Sequence, residues 1–169
     1  MNNRKGTLAV AIALLAMVML SACGGKGGGG SEDEAAGAKE VRVHRIGEAA
    51  TLFDLKLTVD RIERTGEYNK QVLQPGTEFV LVHVTLENAG SGTRKYNSSS
   101  FELLSADGKP DLSVTTLNGE GELHIGDLAP GGKISGILPY EHPKNEAAMT
   151  LTFRPNTMSD QTIRVDLAS

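Results

Sequence analysis

From residue 39 onward, apolar and polar residues alternate in short runs, and this period of two constrains the fold more than any other feature. Side chains at every second position of a β-strand face the same side, so each run predicts a strand with one buried face. Residues 79–86 are apolar at nearly every position, which predicts a central strand covered on both faces. The alternating runs include Val41, Leu55, Phe101, Ile134, Met149 and Ile163.

Turn-forming residues separate these runs, and no stretch after Ala38 carries a helical stripe of apolar residues. The turn signals are Gly47, Gly66, Pro75-Gly76, Asn88-Ala89-Gly90, Asp107-Gly108, Pro130-Gly131 and Pro155-Asn156. About seven or eight short strands with such punctuation predict an all-β chain, and an antiparallel β-sandwich is favoured over a closed barrel. We expect the domain to span residues 39–169, which is long enough to bury a core without disulfides or metals.

Residues 1–22 have the pattern of an export signal. Arg4 and Lys5 precede an apolar run over residues 7–20. As a helix that run is about 21 Å long, too short for the roughly 30 Å hydrocarbon core of a bilayer. A buried core helix is the alternative, but the charges before the run and the glycines after it favour a signal peptide.

The apolar run ends in Leu20-Ser21-Ala22-Cys23, which resembles the bacterial lipobox, the cleavage and acylation motif of lipoproteins. This resemblance implies that signal peptidase recognises Leu20, Ser21 and Ala22 and cuts before Cys23, whose thiol carries the lipid. Cys23 is the one cysteine of the chain, so it has no internal disulfide partner. A stray thiol after an ordinary signal peptide is the alternative. Two or more acyl chains anchor a protein stably, whereas one gives marginal binding.

Residues 23–38 form the predicted linker between the lipid and the domain. The segment is rich in glycine after Cys23 and then carries the acidic cluster Glu32-Asp33-Glu34. It has no apolar residues to bury, so we expect a disordered, flexible tether. An anionic bilayer surface would repel the acidic cluster, which favours a tether that holds the domain clear of the headgroups.

The composition argues against several classes of protein. The chain has 17 Lys and Arg against 21 Asp and Glu, and this acidic balance disfavours nucleic acid as a partner. It has no Trp and only 4% aromatic residues, so aromatic grooves for sugars or bases are poorly supplied.

Residues capable of catalysis or metal binding are scattered along the sequence. His44, His83, His124 and His142 show no spacing of a local metal pair, and His83 is expected to face the core or an interface. We place His124 and His142 in loops or strand edges, where convergence on one site stays open. Asp107 and Asp111 fall short of a calcium loop.

No enzyme motif is recognised either. Ser98-Ser99-Ser100 lacks a nucleophile elbow, and the glycines after Cys23 have no following helix to bind phosphate. We therefore expect no catalytic residues, no cofactor and no metal.

The order of motifs in the domain resembles a widespread bacterial family of uncharacterised extracellular lipoproteins with an immunoglobulin-like fold. The family is related in fold to a secreted immunoprotective antigen of mycobacteria. The resemblance covers roughly residues 41–167, and it implies an immunoglobulin-like sandwich on a cell surface, more often Gram-positive than Gram-negative. It carries over no catalytic residues. The residues that carry it are Ile46-Gly47-Glu48, the run from Gly76 to Asn88, Phe101-Glu102-Leu103 with Asp107-Gly108, and Leu128-Ala129-Pro130-Gly131-Gly132-Lys133.

The sequence therefore favours a lipid-anchored, extracellular domain that acts by binding. The polar connection over residues 90–100, with Arg94, Lys95 and Tyr96, is the first candidate surface, and the connection over residues 66–74, with Tyr68, is the second. An envelope lipoprotein that handles a ligand or a metal through His83, His124 or His142 is the first alternative. A structural component of the envelope is the second, and another envelope protein is a candidate partner.

Overall fold

The computed structural model describes residues 42–73, 75–114 and 119–168. The predicted signal peptide (1–22), the lipobox residues with Cys23 and the predicted linker (23–38) lie outside these residues. The described chain is built from β-strands and one short 3-10 turn, Ser98–Ser100, which confirms the all-β fold. Its strands are β1 (Val43–Arg45), β2 (Ala49–Leu52), β3 (Leu55–Thr65), β4 (Glu67–Tyr68), β5 (Gln71–Val72), β6 (Thr77–Asn88), β7 (Arg94–Asn97), β8 (Phe101–Leu104), β9 (Leu112–Ser113), β10 (Ile125–Leu128), β11 (Lys133–Pro143), β12 (Thr150–Phe153) and β13 (Ile163–Asp166).

Two principal sheets form a sandwich. The four-stranded sheet has the order β1-β13-β12-β8, and the five-stranded sheet has the order β2-β3-β6-β11-β9. The strand pairs β10-β7 and β4-β5 stand beside them. The sequence predicted about seven or eight strands, and the described strands exceed that number because several have only two to four residues.

β1 is the exception to the antiparallel rule, because it pairs in parallel with β13. The chain then turns at Gly47, with a φ of 85°, and β2 joins the edge of the other sheet. Two consecutive strands thus lie on the edges of different sheets. This crossing of the sandwich is why β1 meets β13 instead of forming a hairpin with β2.

The core lies between the two sheets and follows the predicted alternation. Side chains from both sheets share one buried cluster, which includes Leu57, Val82, Leu138, Leu103, Leu151 and Val165. The rings of Phe101 and Phe153 stack with their centroids 4.4 Å apart. Aromatic stacking adds to the free energy gained by burying apolar area.

The predicted double coverage of β6 is confirmed at its start. Phe79 and Leu81 face away from the main core, yet both are buried. The β4-β5 hairpin packs against Phe79 on this outer face, with the Tyr68 ring 5.9 Å from the Phe79 ring.

The predicted turns at residues 130–131 and 107–108 are found. Gly132 N donates to Ala129 O at 2.8 Å and Gly131 has a φ of 72°, which is the geometry of a type II turn. Gly108 has a φ of 79° in the turn after β8.

The segments 90–100 and 66–74, which were predicted as connections between strands, each contain strands of their own. The prediction of their secondary structure is therefore wrong. Residues 94–97 form β7, which pairs with β10, and residues 67–72 form the β4-β5 hairpin. A polar composition masked the first strand because only one of its faces packs against the core.

Candidate functional site

The turn between β2 and β3 consists of Phe53 and Asp54, and it projects from one end of the sandwich. Their φ angles are 49° and 65°, the left-handed pair of a type I′ hairpin turn. Asn and Gly are the usual residues there, because other side chains crowd the backbone in this region. Phe53 is 40% exposed, so the turn presents an apolar ring to solvent instead of the expected polar residue.

Asp54 joins this turn to β7. Its Oδ2 accepts a short hydrogen bond from Arg94 Nη2, and its backbone O accepts one from Ala89 N at 2.8 Å. A Cβ on Gly90 would lie 2.7 Å from Asp54 Cβ, so only glycine fits against the turn. The ion pair balances the charge of Asp54 and fixes Arg94 beside Phe53.

Residues 154–162 form the loop between β12 and β13 at the same end. Asn156 Oδ1 accepts a hydrogen bond from Met158 N at 3.0 Å, which makes an Asx turn at the loop tip. The Met158 side chain is 97% exposed.

Two cavities flank the turn between β2 and β3. One has a volume of about 480 Å³ and is lined by Phe53, Asp54, Leu55, Arg94, Lys95, Pro155 and Asn156. The other has a volume of about 740 Å³ and is lined by residues 49–52 of β2, by residues 160–163, and by Arg42 and His44. We call the end formed by Phe53, Asp54, Arg94, Lys95 and residues 154–162 the tip surface.

The four predicted binding residues divide into two pairs. Arg94 and Lys95 line the smaller cavity at the tip surface. Tyr96 packs against the core, and a Cβ on its cross-strand partner Gly126 would lie 2.7 Å from Tyr96 Cζ. The two aromatic residues of the prediction, Tyr96 and Tyr68, therefore pack within the fold.

Tyr68 belongs to the β4-β5 hairpin, at the opposite end of β3 from the tip surface. Burial is the main cause that raises the pKa of its phenol, and the negative charge of Glu122 raises it further. The ring covers Phe79, so its principal contact is internal to the fold.

The structure does not bring His83 and His142 together. His83 faces outward from β6, 3.7 Å from a Glu63 oxygen, so it does not face the core, and its place in an interface stays a prediction. It pairs in register with Ile137, five positions before His142 on the neighbouring strand. Five strand residues span about 17 Å, and odd and even positions face opposite sides.

His142 is fully buried in β11, not in a loop or edge as predicted from the sequence. Its Nδ1 lies 2.7 Å from Asp111 Oδ2 and its Nε2 lies 3.2 Å from Glu146 O. Ser105 Oγ donates to the other oxygen of Asp111 at 2.6 Å. These contacts fix the segment before β9 and use both oxygens of Asp111.

His44 and His124 lie on separate segments. His44 Nδ1 is 3.8 Å from Glu48 Oε2 beside β1, while the backbone O of His124 accepts a hydrogen bond from Ser98 N. Within residues 42–73, 75–114 and 119–168, no three His, Cys, Asp or Glu side chains are grouped in a way that could hold a metal ion.

The serine run Ser98-Ser99-Ser100 and the acidic residues Asp107 and Asp111 make contacts within the fold. Asn97 Oδ1 accepts from Ser99 N at 3.0 Å and so caps the 3-10 turn of the three serines. Asp107 pairs with Lys109 and Asp111 contacts His142, so their carboxylates have separate partners.

Phe53, Asp54 and Met158 were missed in the sequence. A signal for the first two was present, because the alternating runs of β2 and β3 are separated by only two residues. A two-residue connection between strands predicts a hairpin even without Asn or Gly. In the described part of the chain, no helix has the length and apolar character needed to cross a membrane.

This architecture places the chain in the class of small two-sheet β-sandwich domains. The chain belongs to the DUF4352 family, described as a domain of unknown function, whose model matches residues 44–163. The match confirms the predicted family. The two sheets of this chain confirm the predicted sandwich.

Named relatives agree with this placement. The chain is 28% identical over 130 residues to the uncharacterized lipoprotein YjhA of Bacillus subtilis (strain 168), a match that covers 69% of this chain and 61% of YjhA. The crystal structure of the yjhA protein is similar, with a TM-score of 0.59 and 24% identity over 74% of this chain and 99% of that one.

The predicted relationship to the mycobacterial antigen is also found. The secreted protein MPT63 of Mycobacterium tuberculosis has a TM-score of 0.59 at 13% identity, covering 78% of this chain and all of that one (100%). At this identity the likeness concerns the fold alone.

Proposed function

We propose that this chain is a lipid-anchored protein on the outer face of a bacterial cell membrane, in a Gram-positive envelope, whose sandwich acts by binding. Cys23 is the anchor, and the tip surface is the binding surface. One observation carries the choice of surface: an exposed Phe53 occupies a left-handed turn position where a polar residue would fit better.

The anchor is supported by the sequence and by a relative. Leu20-Ser21-Ala22-Cys23 has the lipobox pattern, and the similar YjhA of B. subtilis is called a lipoprotein. Two or more acyl chains on Cys23 would keep the protein at the membrane.

The contacts of Ser105, whose hydroxyl donates to Asp111, support the proposal that the domain is not catalytic. Ser105 Oγ, Asp111 and His142 form a chain, but the imidazole contacts Asp111 and Glu146, not Ser105. A serine nucleophile needs a base within hydrogen-bond reach of its hydroxyl. Because His142 is also fully buried, it is not placed to serve an incoming substrate.

The test of the anchor is metabolic labelling with a fatty-acid analogue in cells that express the wild type or Cys23→Ala. We expect label only in the wild type, and we expect the variant as uncleaved precursor or in the medium. Protease added to intact protoplasts should digest the wild-type domain. Equal labelling of both proteins, or an unlabelled wild type free in the medium, would show that Cys23 is not the anchor.

A further inference from the structure

We propose that the tip surface rests on the phospholipid headgroups of the membrane that holds the anchor. Phe53 and Met158 enter the headgroup region, and Arg42, Lys95 and Arg154 lie beside lipid phosphates. This inference rests on the proposed anchor and names the partner of the proposed surface.

The described chain begins at the tip surface. In the parallel pair, Val43 is opposite Arg164, which lies at the start of β13 immediately after the loop of residues 154–162. Arg42 lines the same cavity as Leu52 and Asp160. Arg42, the first described residue, therefore lies at this end of the domain.

The length of the connection to Cys23 permits contact with the bilayer. Residues 24–41 separate Cys23 from Arg42 in the sequence, and the flexible linker that the sequence predicts would give a connection of this length an r.m.s. span of about 24 Å. The eleven residues of β3 put the β4-β5 hairpin about 36 Å from the tip surface along the strand. A domain tethered at the tip surface thus meets the membrane more readily with this end than with the opposite one.

The exposed apolar side chains fit an interfacial location. Phe53 and Met158 are on different turns, and residues of both turns line the smaller cavity, so they can enter one surface together. Apolar side chains of peripheral proteins enter the boundary between headgroups and acyl chains. Phe53 adopts a left-handed backbone conformation that is unfavourable for a residue with a bulky side chain. Its presence in the turn therefore points to a contact outside the fold.

The charges favour an anionic lipid surface. Within the described residues, Arg42, Lys95 and Arg154 form no ion pair, and Arg94 balances Asp54 at the centre of the surface. Asp160, at the rim of the larger cavity, and Asp127, the cross-strand partner of Lys95, are the opposing charges. The opposite end of the sandwich carries Glu67, Glu141 and Glu146, whose charges an anionic leaflet repels, together with Lys70 and Lys144.

The chain has no Trp, so Phe53→Trp creates a single fluorescent reporter at the tip surface. The control is Val72→Trp in the β4-β5 hairpin, where Val72 is 76% exposed. Both lipidated full-length mature proteins are reconstituted into vesicles of phosphatidylglycerol and phosphatidylcholine, with and without brominated acyl chains. Circular dichroism and urea unfolding check that both variants fold.

We expect a blue-shifted emission for Phe53→Trp and quenching by brominated lipid at least twofold stronger than for Val72→Trp. Lys95→Glu combined with Arg154→Glu should reduce that quenching. Equal quenching of the two reporters would overturn docking, and so would a blue shift that depends on protein concentration in detergent without lipid, since a second copy would then cover the surface.

Fatty-acid labelling of the same samples separates the two proposals. A labelled protein whose Phe53→Trp reporter stays exposed overturns docking and leaves the anchor standing. An unlabelled wild type overturns the anchor and the docking together.

Discussion

Asn88 is fully buried at the end of β6, and its side chain joins three segments near the tip surface. Its Nδ2 donates to Gly92 O at 2.7 Å and to Leu128 O at 2.9 Å, while its Oδ1 accepts from Gly90 N at 3.0 Å. No other side chain of this size offers two donors and an acceptor in that arrangement. The sequence predicted a turn at Asn88-Ala89-Gly90, and the structure adds the contact of Asn88 with Leu128, 40 residues away.

Asn88→Ala should destabilise the domain by about 3 kcal/mol, because it leaves buried backbone groups without partners. Asn88→Asp, which keeps the acceptor and loses both donors, should also be destabilising. Urea unfolding monitored by circular dichroism measures both. Asn156→Ala, in the exposed Asx turn, is the matched control and should cost about 0.5 kcal/mol. Equal losses at the two positions would contradict this role of Asn88.

His83 should make the domain less stable in mild acid. Burial chiefly lowers the pKa of its imidazole, and the positive charge of Arg61 lowers it further. The unfolded chain, with an ordinary pKa of about 6.5, then binds the proton more readily than the folded protein. The stability is therefore complete above about pH 6.5 and falls as the pH drops through the lower, folded pKa.

The test of this pH effect compares urea midpoints at about pH 5 and pH 7.5 for the wild type and His83→Gln. The variant should lose less stability on acidification than the wild type. His124→Gln, at an exposed position, is the control for loss of an imidazole from the protein surface. An unchanged pH dependence in His83→Gln would show that another group is responsible.

Glycine allows one close approach between segments of the sandwich that a larger residue would prevent. Gly136 faces inward on β11, and a Cβ there would lie 2.8 Å from Leu123 Cβ and 2.9 Å from Leu123 N. Leu123 occupies the space that a side chain at this position would fill, and its N donates to Ile137 O at 2.9 Å. The lack of a side chain at Gly136 thus allows the segment that contains Leu123 to pack directly against β11.

Gly136→Ala should therefore lower the free energy of unfolding by about 2 kcal/mol, because backbone and core atoms must move to admit one methyl group. Gly66→Ala is the control, since a Cβ at Gly66 has no atom within 4 Å. Thermal unfolding of both variants measures the difference. If Gly136→Ala melted with the wild type, the close approach of Leu123 would not constrain β11.

The whole molecule depends on one core that both sheets supply. Leu151 on β12 is fully buried in it, together with side chains of β3, β6 and β11 from the facing sheet. Because these contacts join residues far apart in sequence, neither sheet buries its apolar face alone.

Leu151→Ala should cost about 3 kcal/mol, through lost burial and the cavity left behind. The whole domain should unfold in a single transition, with its urea midpoint lowered. Leu112→Ala, at an exposed position on β9, should leave the midpoint nearly unchanged. A biphasic transition in the Leu151 variant would contradict the single shared core.

The sequence by itself determined the all-β class, the buried faces of the long strands, the turn at residues 130–131 and the family. These properties are local, because alternation and turn chemistry act over a few residues. Tertiary structure decided the pairing of β1 with β13, the strand at Arg94–Asn97, the burial of His142 and the cavity that Phe53 shares with Pro155 and Asn156. Each of these depends on segments that approach only when the two sheets pack, and no local pattern encodes which distant backbone fills a given space.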